Sequence, residues 1–466
     1  MKGRKNKILF TIASFLLVFL LGAGCVSDSV RAKRMMKKKV NLEFWGVFDT
    51  NYDWEPVIKS YKKSRLNVNI NYRKIKFENY ERELLDAWAE GRGPDIIMIH
   101  NTWIGGYKTK LTPAPEGIKE IPVGEVTGGL KKKVKYGFEE VKFLKPLEVK
   151  DRFVQIVYEN TVSDGKVWIL PVSVDTLVLY YNRLLLDQAG IVVPPKSWVE
   201  VANISRKLTK YDEDGNILQS AIALGGAYNI NRSFDILSLL MAQNGTQFTS
   251  PDGYTATFAR KSIYTTDRDF RPGQEALRFY TDFANPAKEI YTWSENFPQA
   301  VEMFASGRLA MMIGYSYQKP IIRSLAPKID LGVAPVPHIN ANGTDATGTS
   351  VNWGSFWGLG VAKTSANQDY AWDFVNFATT RQEIVKKYLE RSGKPAALRS
   401  VIAEQILDPE MSVFANQALT AMSWYRGRNI SAVEKIFKDM ILKVTKGELT
   451  PQKAIIEAER LVNQTF

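Results

Sequence analysis

Polar and aromatic side chains stand together at two places where short apolar runs end. The stretch EFWGVFD carries Trp45 and Asp49, and the stretch IIMIHNTW carries His100, Asn101 and Trp103. Aromatic rings pack on the apolar C–H faces of sugars, while carboxylate and amide groups hydrogen-bond to their hydroxyls. The combination favours binding of a small polyhydroxylated solute. Other roles stay open, with Trp45 as a core residue, Asp49 as a helix cap and His100 in a fixed hydrogen bond.

A third candidate surface is VNWGSFWGLG, residues 351–360, which sets two tryptophans among three glycines. With the period of two of a strand, Trp353, Ser355 and Trp357 share one face. We expect Trp353 to form a stacking platform at the mouth of a cleft, where Gly354 lets the backbone approach the solute. Trp357 is expected to lead into a buried strand.

Catalytic motifs are sparse. There is no G-x-S-x-G, no H-E-x-x-H, and only two histidines, His100 and His338. A glycosidase needs two carboxylates about 5 to 10 Å apart, and the nearest sequence pair in a plausible loop is Glu289 and Glu295. YDEDGN resembles a calcium loop only superficially, because Gly215 comes too early. We therefore expect no enzyme activity, no metal and no cofactor.

The N-terminus has the layout of a secretory signal. Basic MKGRKNK precedes the apolar residues 8–21 and the small-residue stretch GAGC, so residues 1–24 are expected to be removed. An uncleaved membrane anchor is the alternative, since the apolar run approaches the length of a spanning helix. Cys25 is the only cysteine, which rules out an intrachain disulfide.

The net charge of +13 is concentrated near the N-terminus. Residues 25–39, CVSDSVRAKRMMKKK, hold six basic residues against Asp28. A basic segment next to a membrane is attracted to anionic headgroups. We expect a basic membrane tether over 25–39 and no nucleic acid partner.

Alternating apolar patterns predict the elements that position the first candidates. The patterns predict strands over 40–48, 67–75 and 94–99 and helices over 54–63 and 78–91. This βαβαβ order indicates a parallel sheet, in which ligands bind beyond the carboxyl ends of the strands, here 46–49 and 100–103. Residues 112–150, rich in Lys, Glu, Gly and Pro, interrupt the order and are expected to form a peripheral insertion of unknown role.

Five motifs occur in one order along the chain. They are GRGPDIIMIHNTW, the segment 169–209, FASGRLAMMIGYSY, LGVAPVP and LGVAKTSANQDYAWDFVNFATT. Together they resemble family 1 extracellular solute-binding proteins of ABC transporters, the class containing the maltose receptor. The resemblance covers about 40–465, apart from 112–150.

The resemblance implies an α/β, two-lobe periplasmic-binding-protein-like fold (type II) with hinge strands between the lobes. One lobe would hold 40–170 plus 360–400, and the other 177–355 plus 402–466. It also implies further ligand contacts. They are Asp175, Tyr228, Asn229, Tyr315, Tyr317, Trp424 and Arg426. Asp175 could instead pair with a lysine or arginine of the hinge.

Cys25 at the signal boundary resembles the lipidation site of bacterial lipoproteins, although Gly22 stands where the usual leucine would be. The implied protein is a monomeric, extracytoplasmic receptor, lipid-anchored through Cys25, that binds a mono- or oligosaccharide and delivers it to an ABC permease. Alternatives are a receptor for a polyamine, a glycerol-phosphate derivative or a peptide, or a glycoside hydrolase.

Overall fold

The strands of the computed structural model, which describes residues 27–128, 132–263, 267, 269–339 and 350–466, are numbered in chain order. They are β1 Val40–Gly46, β2 Val68–Lys74, β3 Ile96–His100, β4 Leu111–Thr112, β5 Ile118–Thr127, β6 Lys133–Lys142, β7 Val162–Ser163, β8 Lys166–Val167, β9 Ile169–Pro171, β10 Asp175–Thr176, β11 Val178–Asn182, β12 Lys210–Tyr211, β13 Ile217–Ile222, β14 Leu309–Gly314, β15 Leu331–Ala334, β16 Asn352–Ser355, β17 Trp357–Ala362 and β18 Ala421–Met422.

The helices follow the same numbering. They are α1 Asp28–Met35, α2 Asn51–Tyr61, α3 Phe77–Ala89, α4 Ile104–Tyr107, α5 Pro146–Arg152, α6 Gln155–Thr161, α7 Arg183–Gln188, α8 Trp198–Leu208, α9 Ser233–Gln243, α10 Pro272–Asp282, α11 Ala300–Ala305, α12 Gln318–Leu325, α13 Gln368–Thr380, α14 Gln382–Ser392, α15 Arg399–Gln405, α16 Ser412–Ala418, α17 Ile430–Thr445 and α18 Pro451–Val462. In this described part of the chain, no helix is both long and apolar enough to cross a bilayer.

The first lobe is built on a sheet of order β2-β1-β3-β17-β4, with β9 also paired to β17. β1 runs parallel to β2 and β3, whereas β17 runs antiparallel to β3. This confirms the βαβαβ unit predicted for residues 40–99. The carboxyl ends of β1 and β3 lie at one edge of the sheet, and the loops before those strands lie at the opposite edge.

The second lobe has a sheet of order β12-β13-β14-β11-β15. A small sheet, β10-β16-β18, brings together the segments on which the chain passes between the lobes. Its strands are short because each one leaves one lobe and enters the other.

Two separate hydrophobic cores define the lobes. The first takes buried residues from 40–174 and 356–421, and the second from 177–353, 414 and 424–462. The chain therefore passes between cores near 174–177, 353–356 and 421–424. Ala415, Ala418 and Ala421 pack in the first core, although the expected division put 402–466 in the second lobe.

The segment expected to be a tether is folded from residue 28 onward. Helix α1 lies on the β5–β6 hairpin, which is formed by the predicted insertion. Ala32 and Met36, four residues apart and on one helical face, are buried there. Cys25 and the predicted signal segment lie outside the described residues.

Candidate functional site

A small cavity lies between the lobes at the carboxyl end of β3. His100, Asn101 and Thr102 line it from the first lobe. The residues lining it from the second-lobe side and the crossings are Arg232, Phe234, Asp235, Trp353, Gly354, Ser355, Ser423, Trp424, Tyr425, Ile430 and Glu434. The volume is about 10 Å³, room for about one water. A solute with a sugar ring therefore enters only if the lobes separate.

A charged cluster forms the second-lobe wall of this cavity. Arg232 Nε donates to Asp235 Oδ2 at 2.7 Å, and Arg232 Nη1 lies 3.1 Å from Glu434 Oε1. The Asp235 side chain is almost fully buried, whereas those of Arg232 and Glu434 are each 27% exposed. One cation with two carboxylates offers both donors and acceptors to a solute that brings hydroxyl groups.

Arg232 is held in a backbone conformation that few residues other than glycine adopt, with φ 65° and ψ 32°. It stands directly before α9, whose residues are all buried. The left-handed conformation places the guanidinium beside Asp235 in the first turn. Such costly conformations cluster at functional sites, which supports a role in binding for Arg232.

Tyr315 and Tyr317 extend the cluster. The Tyr315 hydroxyl donates to Asp235 Oδ2 at 2.8 Å, and burial raises the pKa of this phenol well above its usual value. The two tyrosine rings stack with centroids 6.1 Å apart. Tyr317 remains 40% exposed.

Asp175 is half-buried and holds the turn that carries these tyrosines. Its carboxylate accepts from Ser316 N at 3.0 Å, from Ser316 Oγ at 2.8 Å and from Thr176 N at 2.9 Å. Burial raises the pKa of Asp175, and these hydrogen bonds and the charge of Lys394 oppose the rise. Lys394 makes its ion pair with Asp49 instead.

His100 is neutral at physiological pH. Burial lowers its pKa to about 3, helped by the positive charge of Arg232. Its Nδ1 lies 2.7 Å from Thr102 Oγ1, and its ring meets the edge of Trp357 at a centroid distance of 5.3 Å. His100 thus makes the fixed hydrogen bond that the sequence offered as an alternative to solute contact, and it also lines the cavity.

Aromatic rings form the apolar part of the site. Trp424 stacks on Phe248 with centroids 5.2 Å apart and ring planes 12° apart, and Trp353 is tilted against the same phenylalanine. The Trp424 Nε1–H is buried and has no hydrogen-bond partner among the described residues. A buried donor without a partner costs stability.

Trp103 lies between the lobes. It stacks on Tyr107 at 5.6 Å, meets Trp357 edge-on at 5.3 Å and packs against both cores. Trp357 is half-buried against the first core, as expected for the start of the crossing strand.

Asn101 joins the crossing segments. Its side chain donates to Ser423 Oγ at 2.9 Å and accepts from Phe356 N at 3.2 Å, and Ser423 Oγ in turn donates to Asn160 Oδ1 at 3.1 Å. Gly354 is closely packed in the same region, because an added Cβ would lie 2.9 Å from Ala421 Cβ.

Two first-lobe candidates make their contacts away from the cavity. Trp45 is buried beneath the Arg73 guanidinium, 4.8 Å from its ring. Asp49 is buried, accepts from the Tyr388 hydroxyl at 2.7 Å and pairs with Lys394. Thr50, not Asp49, occupies the N-cap position of α2. Ligand contact by Trp45 and Asp49 stays a prediction.

Three second-lobe candidates also lie outside the cavity. Tyr228 is exposed, and its hydroxyl donates to Asp439 Oδ1 at 2.8 Å, which raises its pKa to about 12. Asn229 clamps a loop, donating to Ser294 O at 2.8 Å and accepting from Trp293 Nε1 at 2.9 Å. Arg426 is exposed. Their contact with a solute stays a prediction.

Sequence reasoning missed the charged cluster of Arg232, Asp235 and Glu434. The available signal was two charges three residues apart, Arg232 and Asp235, at the start of an otherwise apolar helix. Glu434 belongs to a helix that begins about 200 residues later, and only the tertiary fold brings it to Arg232.

The carboxylates considered for glycoside hydrolysis serve other purposes. Glu289 is exposed and pairs with Arg206 at the surface. Glu295 accepts from the backbone amides of Ala227 at 2.6 Å and Tyr228 at 2.9 Å. In the described ranges, no three His, Cys, Asp or Glu side chains are grouped in a way that could hold a metal.

Comparison with known proteins agrees with this architecture. The family of bacterial extracellular solute-binding proteins matches residues 49–383, well over half of the chain. A probable ABC transporter-binding protein of Deinococcus radiodurans is 24% identical over 317 residues, covering 66% of this chain and 71% of that protein. The maltotriose-binding protein of Pyrococcus abyssi is 23% identical over 339 residues, covering 71% of this chain and 60% of that protein.

Among solved structures, an ABC transporter solute-binding protein of Thermotoga lettingae bound to α-D-tagatose superposes with a TM-score of 0.66. It is 20% identical and the match covers 92% of this chain and 100% of that chain. This likeness establishes the two-lobe fold.

Proposed function

Because the chain belongs to the family of bacterial extracellular solute-binding proteins, we propose that it captures a mono- or oligosaccharide between its lobes and delivers it to the permease of an ABC importer. The observation that carries the proposal is the interlobe cavity, where hydrogen-bonding charges and tryptophan rings meet. The relatives that bind maltotriose and tagatose support the same class of solute. The proposal gives the chain no catalytic step.

Each part of the cavity wall has a task in this proposal. Asp235 and Glu434 accept from sugar hydroxyls and Arg232 donates to sugar oxygens. Trp424 and Trp353 supply apolar faces, and the unpartnered Trp424 Nε1–H gives one directed hydrogen bond.

Capture works by a shift between open and closed states. The solute enters while the lobes are apart, touches His100 on one side and the charged cluster on the other, and stabilises the closed state. Differential binding of the two states is what drives closure, so the residues that contact the solute from both lobes determine its affinity.

A polycation is disfavoured as the solute. Arg232 places a positive charge in the cavity wall, and the two carboxylates beside it are already bonded to it. Asp49, one of two acidic candidates from the sequence, is neutralised by Lys394.

The family places the protein outside the cytoplasm, and we extend the proposal to a lipid anchor on Cys25. The anchor would hold the receptor at the outer face of the membrane. Metabolic labelling with a radioactive fatty acid tests it, because label should enter the full chain and be absent from the Cys25→Ala variant. Equal labelling of both would contradict the anchor.

A thermal-shift screen tests the solute class. The fragment 27–466 contains both hydrophobic cores and every described element, so it carries all that the fold needs. A solute at 100 times its dissociation constant adds about 2.7 kcal/mol to the free energy of unfolding. Stabilisation by a sugar supports the proposal, whereas stabilisation by a polyamine or peptide and by no sugar would overturn it.

A further inference from the structure

The basic segment before β1 is anchored to the first lobe by specific contacts. Arg31 pairs with Glu120 of the hairpin and lies 4.1 Å from the centroid of the Phe138 ring. Lys33 Nζ lies 5.9 Å from the centroid of Tyr136. Met36 packs close to Gly124 of the hairpin, where an added Cβ would lie 3.3 Å from Met36 Cε. The segment therefore has a fixed place on the body of the protein.

That place is the edge of the first sheet opposite the cavity. The hairpin contacts the loop before β2, where Gly124 N donates to Ser64 O at 2.8 Å. Glu139 of β6 pairs with Arg65 of the same loop and with Arg381 after α13. Val40 begins β1 at this edge, whereas the cavity lies beyond the other end of the sheet, at His100.

Positive charge dominates the exposed side formed by α1, the basic residues that follow it and the β5–β6 hairpin. We call this side the basal surface. Its basic members are Lys33, Arg34, Lys37, Lys38, Lys39, Lys132, Lys133 and Lys135. All eight are exposed, and none forms an ion pair with another residue of the described chain. The acidic neighbours are Asp28, Glu120, Glu125, Glu140 and Asp369. Glu120 is paired with Arg31, and Asp369 lies 3.6 Å from Lys119. Val30, Met35 and Val126 add exposed apolar side chains.

We propose that the basal surface binds an anionic lipid bilayer and, while the receptor is not docked on its permease, holds its solute cleft directed away from the membrane. Charge complementarity supports this occupant, because each lysine or arginine near an anionic leaflet raises the affinity about fivefold. The chain adds a geometric reason that rests on the proposed anchor. The three Cα–Cα steps from Cys25 to Asp28 span at most about 11 Å. The beginning of α1 therefore lies close to the headgroups.

Vesicle co-sedimentation of the fragment 27–466, which lacks Cys25 and any lipid, tests the surface by itself. We expect binding to vesicles of phosphatidylglycerol mixed with phosphatidylcholine, loss of binding as salt is raised, and no binding to phosphatidylcholine alone. Failure to bind the anionic vesicles at low salt would overturn the proposal. Solute binding is measured separately, so the failure of either proposal leaves the other standing.

Charge-reversal variants locate the binding surface. The triple variant Lys33→Glu, Arg34→Glu, Lys37→Glu should weaken vesicle affinity roughly a hundredfold. The first variant could weaken binding simply by unfolding α1. A second triple variant in the hairpin, Lys132→Glu, Lys133→Glu, Lys135→Glu, leaves α1 unchanged and should also weaken vesicle affinity. The matched control is Lys207→Glu, Lys328→Glu, Lys453→Glu, three exposed lysines of the second lobe. An equal loss in the control would show binding by net charge alone and overturn the proposal.

Lipid quenching measures the orientation. Cys25 is the only cysteine, so the fragment accepts single labels at Val30→Cys, on α1, and at Asn231→Cys, beside the cavity. A fluorophore at residue 30 should be quenched by nitroxide lipids, and one at residue 231 should not. Equal quenching at both sites, or quenching only at residue 231, would contradict the orientation.

Discussion

In the proposed function, the buried Trp424 Nε1–H donates to the solute. Its ring is held by Phe248, yet its Nε1–H has no partner within the described structure. Trp54, in the first core far from the cavity, has an Nε1–H in the same condition. Comparing the same substitution at the two tryptophans therefore separates the effect of losing a buried donor from the effect of losing a solute contact.

We expect Trp424→Phe to weaken solute affinity by about three- to tenfold, the worth of one hydrogen bond. The ring stack is largely kept, and no hydrogen bond of the unliganded protein is lost. Isothermal titration calorimetry with the solute from the thermal-shift screen gives the affinity. Trp54→Phe is the matched control and should bind as the wild type does. An unchanged affinity in Trp424→Phe would remove Nε1 from the site.

The depressed pKa of His100 makes the stability depend on pH. The folded protein keeps this ring neutral down to about pH 3, while the unfolded chain takes up the proton near pH 6.5. The unfolded state thus binds more protons between these values, so the histidine's contribution is complete above pH 6.5 and is lost as pH falls toward 3.

We therefore expect the free energy of unfolding to fall more between pH 7 and pH 4.5 in the wild type than in His100→Asn. Urea denaturation at the two pH values measures the difference. Parallel losses in both proteins would mean that His100 is solvated in the folded state.

At the scale of elements, α4 meets the second lobe backbone to backbone. A Cβ on Gly105 would overlap the carbonyl oxygens of Arg426 and Gly427, and one on Gly106 would lie 2.9 Å from Arg428 O. Only glycine permits the two backbones to come this close, and the contact exists only when the lobes are together.

We expect Gly105→Ala to keep the fold of each lobe, favour the open state and weaken solute binding by at least about tenfold. Small-angle scattering at saturating solute should give a larger radius of gyration than for the wild type. Gly137→Ala is the control, because no described atom lies within 4 Å of a Cβ at that position. Wild-type affinity in Gly105→Ala would show that the contact is not needed for closure.

Elements could be predicted from the sequence where the pattern is local. Strand β3 and the helix with Leu84 on its buried face follow from apolar spacing, and the motif segments place Asp175 and Trp353 near the crossings. The segment 28–35 was not recognised as a helix, because its basic residues are typical of a tether and its burial depends on a hairpin about ninety residues away. The meeting of Arg232 with Glu434 likewise depends on packing between distant helices.

At the scale of the whole molecule, the cavity is too small for the solutes proposed. Its volume of about 10 Å³ means that a sugar ring fits only when the lobes lie farther apart than in this structure. The three crossings near 174–177, 353–356 and 421–424 are the segments that can bend, because there the chain passes from one core to the other.

We expect the unliganded fragment 27–466 in solution to have a larger radius of gyration than the same fragment with saturating solute. Small-angle X-ray scattering measures both. A radius that does not change on binding would contradict capture by closure, even if affinity is high.

The path of the chain also affects the order in which the sheets can form as the protein is synthesised. Strand β17 lies in the middle of the first sheet, between β3 and β4, yet it is synthesised only after the whole second-lobe segment 177–353. Until β17 arrives, one side of β3 carries unpaired backbone groups beside apolar residues such as Ile97 and Ile99, and such an edge can pair with another chain. We therefore expect the first lobe to be vulnerable to aggregation during export.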